Sequence, residues 1–169
     1  MDKRSIRLEI QKQLKKRTHF QIDSNRLLAR ILPFLGKNVL SYFPISLEPD
    51  ISPLNRSLFK AGRLFFPKIE ETGLVVEKVI ELDPLHLDLH DTHLPHAFEP
   101  ANLDEIDTVI LPLVAADLQL NRLGRGKGHY DRLLTNRAIS KIAILFECQL
   151  VAAIPIDPWD QPLDKIFIF

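Results

Sequence analysis

Residues 108–114 read Thr-Val-Ile-Leu-Pro-Leu-Val, and residues 122–132 read Arg-Leu-Gly-Arg-Gly-Lys-Gly-His-Tyr-Asp-Arg. The first run lacks polar alternation, which suits a strand buried on both faces. The second is a glycine-alternating basic loop that opens a helix over about residues 130–136. In open α/β sheets, ligands sit beyond the carboxyl ends of strands. A buried strand followed by such a loop therefore suggests both the fold class and the place of a site.

Gly124, Gly126 and Gly128 alternate with Arg125 and Lys127, and Asp131 follows. Glycine at every second position lets the backbone approach a ligand closely and turn its N–H groups inward. Successive N–H groups of that kind form an anion-binding concavity. Arg122, Arg125 and Lys127 add positive charge, and a guanidinium grips phosphate oxygens two at a time. Asp131 is placed to hold magnesium shared with those phosphates, since magnesium takes one or two carboxylates plus phosphate oxygens. No Ser or Thr follows a Gly-Lys pair, so the run is not a P-loop. Its third glycine comes one residue too soon for the dinucleotide fingerprint. Read alone, it fits a nucleotide-triphosphate loop, a flexible loop or a contact for RNA phosphates.

Outward from this run, helical and strand patterns alternate. Residues 3–17 repeat Ile6, Ile10 and Leu14 every fourth position between basic and polar residues, predicting a helix. Asp23 or Ser24 caps a second helix that puts Leu27, Leu28, Ile31 and Leu35 on one face, with a kink or early end at Pro33. Residues 39–43 form a short apolar run that predicts a buried strand. Ser52-Pro53 starts a third helix, for which Gly62 fits the position after the C-cap. Further strands are predicted over 64–69, ending near Pro67, and over 74–82 at a sheet edge. Residues 83–105, rich in Pro, Asp and His, read as irregular, and strands follow at 141–146 and 166–169. This alternation predicts one domain over residues 1–169. Its expected form is α/β: a three-layer α/β/α sandwich around a mostly parallel or mixed central sheet.

The chain has 169 residues, with 22 Lys plus Arg against 22 Asp plus Glu. Zero net charge argues against a general nucleic-acid or membrane-surface binder, though it leaves room for a local basic pocket. The single cysteine, Cys148, permits no disulfide framework within the chain and reads as an inert core residue. The charged N-terminus lacks the apolar core of a signal peptide, and no apolar stretch approaches membrane-span length. The expectation is a cytoplasmic monomer.

Leu111-Pro112, Asp117 and the run from Arg122 to Asp131 together resemble the signature of the 5-formyltetrahydrofolate cyclo-ligases, or methenyltetrahydrofolate synthetases. That signature reads roughly P-x-x-x-F-D-x-x-G-x-R-L-G-[RY]-G-x-G-[YF]-Y-D. Lys3-Arg4-Ser5-Ile6-Arg7 is similar to the family's N-terminal K-x-x-x-R, and Tyr42 with Glu48 to its substrate segment. Glu99-Pro100 is similar to its central Glu-Pro pair, and Asp160 with Asp164 to its terminal acids.

The resemblance implies magnesium- and ATP-dependent closure of 5-formyltetrahydrofolate to 5,10-methenyltetrahydrofolate, with release of ADP and phosphate. It implies ATP contacts from Lys3, Arg4, Ser5, Ile6 and Arg7, and from Arg122, Leu123, Gly124, Arg125, Gly126, Lys127, Gly128, His129 and Tyr130. Arg125 and Lys127 would be the catalytic cations. Phe43, Glu48 and the stretch from Arg125 to His129 would meet the folate, and Asp131 with Asp164 would ligate magnesium. The chain departs from the pattern at Ala116, at Leu120 in place of glycine, and at His129 in place of an aromatic residue. Leu120 then implies either a strained positive φ or a differently shaped hairpin. These departures leave open a folate- or nucleotide-binding paralogue with altered activity. An RNA-contacting module is the third reading, against which the neutral net charge counts.

Three other features have plain readings. Lys3 and Arg7, apart from the resemblance, read as a solvated basic helix face. His86, His90, His93 and His96, with Asp88 and Asp91, read as an exposed loop bracketed by Pro84 and Pro95, with zinc the lesser alternative. Trp159 reads as part of a C-terminal segment pinned to the core, with cover of a ligand pocket the alternative.

Overall fold

The computed structural model describes residues 1–45, 47–71, 73–81 and 97–169. The His86–His96 cluster lies outside the described residues. Helix α1 spans Lys3–Lys15, and Asp2 caps it by accepting the Ser5 N–H at 2.7 Å. Ile6, Ile10 and Leu14 face the core, while Lys12 and Lys15 sit in the last turn, where the helix dipole favours cations. Helix α2 spans Ser24–Ile31 and is capped by Asp23. As Pro33 predicts, it gives way to a 3-10 turn at Leu32–Phe34. Helix α3 spans Ser52–Lys60, with Pro53 in its first turn and Gly62 at φ 67° just beyond the C-cap Ala61.

Among the described residues the strands, in order along the sequence, are β1 Val39–Leu40, β2 Leu64–Glu70, β3 Gly73–Glu81, β4 Ala97–Ala101, β5 Thr108–Ile110, β6 Ala115–Ala116, β7 Arg122–Leu123, β8 Ser140–Leu145 and β9 Lys165–Ile168. Helix α4, His129–Leu134, stands between β7 and β8. Seven strands form one mixed sheet in the order β4-β3-β2-β1-β5-β8-β9, parallel from β2 through β9 and antiparallel at β2-β3-β4. β6 and β7 make a separate antiparallel hairpin.

The period-2 alternation of strand side chains produces two cores, one on each face of the sheet. Val39, Leu64, Phe66, Ile142 and Ile144 pack with residues of α1, α2 and α3. Leu40, Phe65, Ala143 and Leu145 pack on the other side with Leu134 of α4 and Leu163. This is the expected α/β layering of helices on both faces of a mixed sheet.

Local expectations needed correction where main-chain hydrogen bonds are diverted. The 39–43 run is strand only over Val39–Leu40. Beyond Ser41, the Asn55 amide of α3 donates to the Tyr42 carbonyl at 3.0 Å and draws the backbone off the sheet. The 108–114 run is strand only over Thr108–Ile110. Leu111 still donates to Ile142 at 2.8 Å, but Pro112 has no N–H to give. β2 does not end at Pro67: it pairs with Val76 there, and β1 reaches only Leu64 and Phe65, so that side of Pro67 needs no donor. β3 is interior, because part of the stretch read as irregular is the edge strand β4, whose Pro100 an edge tolerates. Among the described residues, no helix is long and apolar enough to cross a membrane.

Candidate active site

A cavity of about 490 Å³ opens where the backbone leaves the carboxyl end of β5. Lys3 and Arg7 of α1 line it, with the loop from Arg122 to Gly128 and the first turn of α4. Pro67, Ile69 and Leu74 of the β2–β3 hairpin form an apolar wall, and Asp157, Trp159 and Asp160 complete the rim.

The loop's shape depends on its glycines. Gly126 and Gly128 hold φ values of 100° and 64°, in the region other residues avoid. A Cβ on Gly126 would stand 3.4 Å from the Arg7 guanidinium. Arg7 also donates to the Gly124 carbonyl at 2.9 Å, so α1 supports the loop from beneath.

The three loop cations differ in what holds them. Arg122 is buried and pairs with Asp131 Oδ1 at 2.8 Å while donating to the Pro112 carbonyl at 3.2 Å. Although it lines the cavity, its charge is committed to tying the loop to α4. Arg125 is half exposed and pairs at 2.8 Å with the buried Glu48. Lys127 is exposed, and no side-chain hydrogen bond or ion pair joins its ammonium to another described residue. His129 shares its Nδ1 with Arg132 at 3.0 Å.

Glu48 Oε2 accepts the Ile45 N–H at 3.0 Å. Burial pushes the Glu48 carboxyl up, and the Ile45 N–H and Arg125 pull it back only partly. Burial also raises the phenols of Tyr42 and Tyr130, so both stay neutral. Phe43 is not in the cavity lining: its ring stacks on Phe66, centroids 4.1 Å apart, and packs against the core.

The acids required a correction. Asp131 lines the cavity, but Asp164 lies at the opposite end of the sheet, where it accepts the Lys141 N–H at 2.7 Å as β9 begins. Asp157 and Asp160 line the cavity instead. Both carboxylates pair with Lys3, Asp157 at 2.7 Å. Burial alone would lower the Lys3 ammonium, but its bonds to Asp157 and Asp160 hold it above its ordinary range. Among the described residues, no three acids, histidines or cysteines form a metal cage. Asp131, with one oxygen on Arg122, fits a metal held jointly with substrate oxygens, as magnesium on nucleotide phosphates is.

Within residues 3–7, only Lys3 and Arg7 reach the cavity. Arg4 and Ser5 are exposed, and Ile6 is in the core. Lys3 and Arg7 are therefore not a merely solvated face. Glu99 and Pro100 sit on β4, outside the cavity lining. Cys148 is free and packs against the first core. Leu120 takes the strained alternative, with φ 66°. Beside it the buried Asp117 carboxylate accepts the N–H groups of Gln119, Asn121 and Ile154 at 2.9–3.0 Å. Sequence reading missed Asp157 and the apolar wall. The available signal was Asp157-Pro158-Trp159-Asp160, two acids flanking a turn that closes with the Asp160 N–H on the Asp157 carbonyl at 3.0 Å.

A family model described as the 5-formyltetrahydrofolate cyclo-ligase family matches residues 1–168. The chain is 32% identical to the 5-formyltetrahydrofolate cyclo-ligase of Mycoplasma pneumoniae, over 98% of both sequences. It is 35% identical to that of Escherichia coli (strain K12) over 64% of its own residues, spanning 57% of that relative's length. The solved structure of Aquifex aeolicus 5,10-methenyltetrahydrofolate synthetase is similar with a TM-score of 0.77 and 29% identity, covering 99% of this chain and 90% of that one.

Proposed function

The chain belongs to the 5-formyltetrahydrofolate cyclo-ligase family, and from that premise we propose that it is a cytoplasmic, single-domain enzyme closing 5-formyltetrahydrofolate to 5,10-methenyltetrahydrofolate with ATP. One observation carries this reading: a glycine loop braced by Arg7 faces the same cavity as Arg125, Lys127 and Asp131.

The formyl amide is a poor electrophile, and its oxygen leaves poorly. Transfer of the γ-phosphoryl group to that oxygen releases ADP. Folate N10 then attacks the formyl carbon, phosphate departs with the oxygen, and N10 loses its proton. Little acid–base chemistry is demanded, so positioning and charge stabilisation dominate. Lys127 and Arg125 neutralise the negative charge on the transferring group, and the loop N–H groups hold the phosphates. Arg7 and Arg122 act as positioning residues that fix the loop. Glu48, buried and outside the cavity lining, orients Arg125. Asp131 and Asp160 would hold magnesium together with nucleotide oxygens, where the ion would spread the phosphate charge.

The test mixes the protein with ATP, magnesium and 5-formyltetrahydrofolate, and follows the methenyl chromophore together with ADP. Equal formation of both is expected. ATP binding without the chromophore would instead mark a paralogue with altered activity.

A further inference from the structure

Trp159 is the chain's sole tryptophan, and it is 65% exposed while lining the cavity. Its turn is held from both sides. Lys3 binds Asp157 and Asp160, and the Gln161 N–H donates to Asp131 Oδ1 at 3.3 Å. Those anchors belong to α1 and α4, the same elements that carry Arg7 and flank the phosphate loop. Glu48 approaches Arg125 from a different segment, between β1 and α3. The indole therefore stands beside the phosphate cradle, with the apolar residues Ile69 and Leu74 lining the same cavity.

We propose that Trp159 is the stacking platform for the nucleobase of the bound nucleotide, and that the Lys3 ion pairs set its turn in place. This rests on the ATP-dependent reading above. A purine presents a flat π-face, and aromatic stacking on a base is insensitive to which base it is. The proposal also reassigns Lys3. With two carboxylates on its ammonium, it acts as a positioning residue for the turn.

The fluorescence of the single tryptophan reads this directly and needs no turnover. ATP should quench it saturably, whereas inorganic tripolyphosphate, which has no base, should not. Trp159→Ala should weaken ATP binding by at least about fivefold, with Trp159→Phe largely restoring it. The folate KM should not move in either variant. Equal quenching by tripolyphosphate, unchanged ATP affinity in Trp159→Ala, or a shift confined to the folate KM would each overturn the proposal. Quenching by ATP in a protein that forms no methenyl product would leave the platform standing and remove the cyclo-ligase reading.

Discussion

Glu48 and Arg125, 77 residues apart in sequence, meet at 2.8 Å with the carboxylate buried and the guanidinium half in water. The pair is asymmetric. Arg125 can rehydrate, but Glu48 cannot, and burial raises its carboxyl. A carboxyl whose folded pKa lies above its unfolded value supports the folded state while protonated. That support is lost as pH rises through the folded pKa. Glu48→Gln never ionises. The melting temperature of the native protein relative to Glu48→Gln should therefore fall as pH rises from below 4.5, the ordinary value, to neutrality. The variant should at the same time lose turnover, because a neutral amide holds Arg125 less firmly than a carboxylate. A melting-temperature gap that does not change with pH would count against a burial-raised Glu48.

Lys127 offers a cleaner test of charge stabilisation. It is exposed, and no described carboxylate pairs with it, so Lys127→Ala should leave thermal stability unchanged. Turnover should fall about a hundredfold, the scale of losing one preorganised charge donor. Steady-state kinetics beside a melting curve separates the two effects, and normal turnover would remove Lys127 from the chemistry.

Gly126→Ala tests the loop's shape and not its charge. Alanine at φ 100° is strained, although its Cβ would meet the Arg7 guanidinium only at an ordinary contact distance of 3.4 Å. A left-handed conformation costs roughly 1–2 kcal/mol in a non-glycine residue. The loop should shift before the fold does, so nucleotide affinity should drop while unfolding changes by no more than that amount. Unchanged ATP binding by titration would show that the cradle does not depend on this backbone conformation.

The fold was legible wherever hydrophobic period and capping chemistry agreed. Ile6, Ile10 and Leu14 lie on the buried face of α1, and Asp23 caps α2. The glycine loop was legible too, since its backbone requirement is written in residue type. What the sequence did not carry was pairing between distant segments. Nothing local marks Arg122 as spent on Asp131, or separates Asp160, facing the cavity, from Asp164, four residues on and at the other end of the sheet. Prolines also misled: Pro67 read as the end of a strand, and Pro100 fell in a Pro-rich stretch read as irregular, yet each sits where no ladder donor is required.

Asp131 and Asp164 make a matched comparison. Asp164→Asn should leave the magnesium dependence of turnover unchanged, because its carboxylate bonds the Lys141 backbone away from the cavity. Asp131→Asn should shift that titration to higher magnesium. It should also cost about 3 kcal/mol in chemical denaturation, since Arg122 is left as a buried charge without its partner. A magnesium titration displaced equally by both substitutions would contradict this division.

Leu120 sits in a conformation that favours glycine, at φ 66°, with its side chain packed against the second core. Two terms oppose each other there. Glycine would relieve roughly 1–2 kcal/mol of backbone strain. It would also give up the packing of a half-buried leucine, about 1 kcal/mol, and up to about 1 kcal/mol in the entropy of the unfolded state. Leu120→Gly should therefore lie within about 1 kcal/mol of the native protein. Leu120→Ala keeps the strain and loses the packing, so it should be the less stable of the two variants. Denaturant unfolding of the three proteins decides the order. Alanine more stable than glycine at this position would mean that the left-handed turn carries no strain.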